Sequence, residues 1–78
     1  MRVIVTTTES VGEDLRRPHP AGAAGAIANR IAVSGGQLYP HDYAVEQFVV
    51  EVDDGARLID QLGALPGIES VYAEPEVR

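Results

Sequence analysis

Between Gln47 and Ala73 the apolar residues change their spacing twice, and no other feature constrains the fold of this chain as tightly. From Gln47 to Val52, Phe48, Val50 and Val52 alternate with Gln47, Val49 and Glu51, which is the period of a strand whose first set faces a core. Leu58, Leu62 and Leu65 then recur at helical spacing with Ile59 beside them, behind Asp53 or Asp54, either of which makes a good N-cap. Pro66-Gly67 breaks that helix, and Ile68 to Ala73 forms a last strand before the polar end Glu74-Pro75-Glu76-Val77-Arg78.

The first half repeats the order in a weaker form. Arg2 to Thr7 is apolar and β-branched, as a strand should be, and a polar stretch from Thr8 to Pro20 reads as a long loop. Pro18-His19-Pro20 closes it, and a helix begins near Pro20, because proline in a first turn costs no hydrogen bond. Ala24, Ile27, Ala28 and Ile31 share one face of that helix, and Gly35-Gly36 can end it in a left-handed turn. Gln37 to Tyr43 is a second strand, with Pro40 favouring an edge or a bulge. The order β-α-β-β-α-β specifies an α+β, ferredoxin-like fold: a four-stranded antiparallel sheet with two helices on one face and the other face bare.

Seventy-eight residues make one such domain, 1–78, since a second core could not be enclosed, and none is cysteine. No disulfide can staple it, so stability rests on apolar packing or on a partner that binds the folded state. Twelve acidic residues against six arginines give a net charge of −6, which repels phosphate backbones and acidic membranes and argues against nucleic acid and membrane as partners. No apolar run reaches membrane-spanning length. The start Met1-Arg2-Val3-Ile4-Val5 turns polar at Thr6 without the pattern of a secretory signal. The expectation is a cytoplasmic protein as written, or a secreted one if the chain is excised from a larger precursor.

Nothing in the chain suggests catalysis. His19 and His41 have no nucleophile or ligand partner at a recognisable spacing and read as loop and edge residues. Ser10, Ser34 and Ser70 lie in no nucleophile-elbow pattern, and Gly22 to Gly25 does not follow a strand as a dinucleotide fingerprint must. Glu51, Asp53 and Asp54 could hold a hard cation. Helix capping accounts for them more simply, and no metal or other cofactor is expected. Val49 on the outward face and Tyr72 near its edge would leave apolar surface in water, which favours a docking surface.

The strand Gln47 to Asp54, the helix after it and the segment Leu62 to Arg78 resemble the second half of the subtilisin-propeptide-like protease inhibitor family. The likeness lies in Leu62, Leu65, Pro66, Gly67, Ile68, Val71, Glu74 and Glu76. It implies an inhibitor or folding-assistant domain that meets a subtilisin-like serine protease, as a monomer alone or in a 1:1 complex. In such domains the open sheet face packs on two surface helices of the protease, acidic side chains cap those helices, and the C-terminal tail enters the cleft. Carried onto this chain, Tyr72, Glu74 and Glu76 share one side of the last strand and Val71 and Ala73 face the core. Glu74 and Glu76 are then the acidic caps, and Pro75-Glu76-Val77-Arg78 is the cleft segment with Arg78 in the primary specificity pocket. The chain departs from the family pattern at Arg78 and Pro75, where many members are apolar or aromatic. An alternative from a different class is a small-ligand-binding regulatory module of the same topology, supported by fold analogy alone.

Overall fold

The computed structural model describes residues 1–42 and 44–75. Its elements are β1 (Arg2–Thr7), α1 (Glu9–Leu15), α2 (Gly22–Val33), β2 (Gln37–Pro40), β3 (Gln47–Glu51), α3 (Gly55–Gly63) and β4 (Ile68–Ala73). The strands form one sheet in the order β2-β3-β1-β4 with antiparallel neighbours, the α+β arrangement expected of a ferredoxin-like chain. Pro40 lies on an edge strand, where a missing N–H breaks no ladder.

Alternation along the strands divides the sheet into two faces. Val3 and Val5 of β1 and Phe48 and Val50 of β3 are buried in one core with Ala24, Ile27 and Ile31 of α2 and Leu58 and Leu62 of α3. Phe48, Ile27, Leu58 and Leu62 are the largest of its fully enclosed side chains. Val71 packs against this core from β4 and Leu38 from β2. These helices sit on one face because their apolar stripes have no other surface to cover.

Local chemistry sets where α2 and α3 begin and end. Asp54 is the cap of α3, its Oδ1 accepting from the Arg57 N–H at 3.1 Å. α2 ends in a Schellman motif. The Gly36 N–H reaches the Ile31 carbonyl at 2.9 Å and the Gly35 N–H reaches that of Ala32 at 3.0 Å, with Gly35 at φ 77°.

The expected loop from Thr8 to Pro20 is corrected: its first half is the helix α1, so the helical elements number three among the described residues. Thr8 is the N-cap, its Oγ1 accepting from the Val11 N–H at 3.4 Å, and Glu9 stands in the first turn, where the helix dipole favours a carboxylate. Val11, Gly12 and Leu15 turn inward. α1 closes one end of the core between two connections. On one side it meets the β2–β3 connection: a Cβ at Gly12 would lie 2.5 Å from the Val45 carbonyl oxygen. On the other, the Thr8 N–H donates to the Gly67 carbonyl at 2.9 Å, and a Cβ at Gly67 would lie 2.7 Å from Val11 Cγ2.

Arg16, just past α1, secures the same end. Its guanidinium donates to the carbonyls of Val45 (3.3 Å), His41 (3.3 Å) and Ala44 (2.9 Å), and its Cζ stands 5.1 Å from the centre of the Phe48 ring. β2 ends at Pro40 rather than at Tyr43, which lies outside the described residues.

Candidate protein-docking face

The strand registers assemble the open face row by row. Tyr39 pairs with Val49, Val49 with Ile4, and Ile4 with Tyr72, so one residue from each strand forms an apolar row across the whole sheet. On one side of it Gln37 pairs with Glu51 and Glu51 with Arg2, and the Glu74 N–H continues the pairing to the Arg2 carbonyl at 2.9 Å. On the other side run Gln47, Thr6 and Ser70. An apolar centre between polar margins is the pattern of a protein-binding patch.

Exposure varies along this row. The two tyrosines at the edges are about half exposed, Tyr39 at 45% and Tyr72 at 49%, whereas Val49 in the middle is only 8% exposed. The expectation that Val49 lies open to water is therefore corrected. It stands on the outward face, apart from the main core, between Tyr39 and Ile4 on the neighbouring strands. Tyr72 does present apolar surface, and so does Tyr39, whose hydroxyl donates to Gln37 Oε1.

Tyr72 and Glu74 share the open face, as their alternation with the half-buried Val71 and Ala73 requires. Glu74 is not a free carboxylate. Its Oε2 lies 3.1 Å from Arg2 Nε, an ion pair linking the end of β4 to the start of β1. That contact lacks hydrogen-bond alignment, since the shielded Oε2 has no hydrogen-bond partner. Pro75 follows, exposed. Glu76, Val77 and Arg78 lie outside the described residues.

Sequence reasoning missed Tyr39, Ile4 and Arg2 as members of this face. Alternation in β1 separates Ile4 from Val3 and Val5, but only the pairing register brings it beside Tyr72 and Val49. Among the described residues no three His, Asp or Glu side chains come together as metal ligands would. Nor is any helix among them long and apolar enough to cross a membrane. No family model matches the chain, no curated protein matches it, and no solved structure matches it.

Proposed function

We propose that this chain is a protease inhibitor or intramolecular-chaperone-like domain that binds a subtilisin-like serine protease through its open sheet face and its C-terminal segment. The observation that carries the reading is the apolar row Tyr39-Val49-Ile4-Tyr72, with a half-exposed tyrosine at each end, on a sheet whose strand β4 runs directly into that segment. The residue pattern from Leu62 to Glu76 supplies the class of partner.

In this mechanism the row packs on two helices of the protease. Tyr39 and Tyr72 contribute most of the binding, since large amphipathic rings bury much area with few torsions to freeze. Glu74 and Glu76 meet the N-termini of those helices, whose unpaired N–H groups and dipole attract carboxylates. The C-terminal segment after Glu74 lies extended in the substrate cleft, held by main-chain hydrogen bonds. A folding-assistant role uses the same surface, because a domain that binds only the folded protease stabilises it.

Titration of the purified chain into a panel of subtilisin-like proteases, including basic-specific members, tests the proposal. Inhibition at micromolar concentration or below is expected. Tyr72→Ala and Tyr39→Ala should each weaken it about tenfold, the equivalent of about 1.4 kcal/mol at a well-packed aromatic contact. No inhibition of any member by the intact chain, or inhibition indifferent to both substitutions, overturns this reading of the face.

A further inference from the structure

On the helical layer, the last turn of α2 lies beside the first two turns of α3, with a groove of about 300 Å³ between them lined by Arg30, Val33 and Ser34 on one side and Asp54, Arg57 and Gln61 on the other. We infer that this groove binds a small oxyanion, a phosphate or carboxylate group gripped by the guanidinium groups of Arg30 and Arg57. The inference does not depend on protease binding, which uses the opposite face of the sheet.

Two independent observations carry it. The first is how the arginines are used. Of the five described, Arg2 pairs with Glu74, Arg17 pairs with Asp14, and Arg16 is spent on backbone carbonyls. Arg30 and Arg57 alone among the described residues have guanidinium groups with no ion pair or hydrogen bond. In a chain of net charge −6 the two free cations line the same groove.

The second is the position of Arg57. It stands in the first turn of α3, which holds no acidic residue, and a cation there opposes the helix dipole. An anion bound between Arg57 and Arg30 would offset that placement. Guanidinium forks suit such ligands because their parallel N–H donors match the oxygens of carboxylate and phosphate. Three carbonyls at the α2 end are already hydrogen-bonded. Ser34 covers that of Arg30, with Gly35 and Gly36 covering those of Ala32 and Ile31. The Gln61 carboxamide can add a further donor. Asp54 is the one opposing charge lining the groove, and its Oδ1 is held by the Arg57 N–H.

The test is a titration of the ¹⁵N-labelled chain at constant ionic strength, with inorganic phosphate in one arm, succinate in a second and chloride as control. Saturating amide shifts confined to residues 30–36 and 54–61 are expected, and the arm that saturates at lower concentration identifies the oxyanion. Arg30→Gln combined with Arg57→Gln should weaken binding at least about tenfold, with the rest of the spectrum unchanged because both side chains are exposed. Asp54→Asn retains a capping side chain and removes the opposing charge, so it should tighten binding about threefold or more. Shifts that are scattered, fail to saturate or match those of chloride overturn the inference, as does an affinity that the double substitution leaves unchanged. Protease inhibition by the double variant should equal that of the parent, so failure here and failure of the docking face are distinguishable.

Discussion

Replacing Gly12 by alanine sets the packing of α1 against its intrinsic helix preference, and the two have opposite signs. In an isolated helix the change is favourable by about 1 kcal/mol. In this fold the new Cβ would stand 2.5 Å from the Val45 carbonyl oxygen, 3.0 Å from Glu46 Cα and 3.1 Å from Thr7 Oγ1. The first two atoms are backbone and cannot rotate away, so the helix or the β2–β3 connection must move. Moving either stretches the Thr7 N–H bond to the Glu46 carbonyl, now 2.8 Å, and the contacts Arg16 makes with the same connection.

Overpacking of this kind costs about 1–3 kcal/mol, and each weakened hydrogen bond adds about 1 kcal/mol. Set against the propensity gain, the net loss is about 2 kcal/mol, which lowers Tm by roughly 8–16 °C in a domain of this size. Gly63→Ala is the control, because its Cβ would meet only Val71 Cγ1 at 3.9 Å, an ordinary contact. That substitution should stabilise by about 0.5 kcal/mol. Urea and thermal melts followed by circular dichroism measure both. A Gly12→Ala variant that melts at or above the parent temperature would refute the close packing of α1 against the β2–β3 connection.

Arg16→Met removes the guanidinium that stands over the Phe48 ring and the donors to the carbonyls of His41, Ala44 and Val45. It should cost about 1–2 kcal/mol in urea unfolding and speed hydrogen exchange at the Gln47 amide, which bonds to the Ala44 carbonyl within that connection. Leu62→Ala opens a cavity under a fully buried side chain and should cost about 2–5 kcal/mol by the same melts. Arg2→Gln breaks an exposed ion pair with Glu74 and should change stability by less than about 1 kcal/mol, an effect that added salt reproduces in the parent.

Where a segment's structure follows from its own residues, the sequence was legible. The period of two in Gln47–Glu51 and the spacing of Leu58 and Leu62 are properties of single elements, and the strand and helix lie where those patterns put them. The same holds for the glycine stop after α2 and for β4 up to Ala73. α1 was not legible, because only Val11 and Leu15 mark its inner face and a glycine lies between them. Seven residues with that content form a weak helix alone, and what holds α1 is the packing of Val11 and Leu15 in the core beside α2, together with contacts to Val45, Glu46 and Gly67, residues distant in sequence. The open face was half legible for a related reason. Alternation placed Val49 and Tyr72 outward, but shielding of Val49 and recruitment of Ile4 and Tyr39 depend on the register between strands.

The ion pair between Arg2 and Glu74 bears directly on how the open face would meet a protease. If Glu74 caps a helix of the partner, it must trade Arg2 for unpaired N–H groups at the helix N-terminus. The exchange is feasible, since an exposed ion pair is worth about 0–1 kcal/mol and a carboxylate at a helix N-terminus about 0.3–1 kcal/mol, rising to about 2 kcal/mol where water is excluded. Arg2 therefore works against capping, and Arg2→Gln should tighten inhibition by up to about fivefold, the equivalent of about 1 kcal/mol. If Arg2 instead holds Glu74 in its productive position, the same substitution weakens inhibition. Glu74→Gln discriminates further: it should weaken inhibition in the parent, and by up to about fivefold more in the Arg2→Gln background, where the carboxylate caps without giving up an ion pair. Inhibition constants for the four proteins of this cycle, measured at low and high salt, decide the matter, and a Glu74→Gln variant that inhibits as well as the parent would remove Glu74 from the docking mechanism.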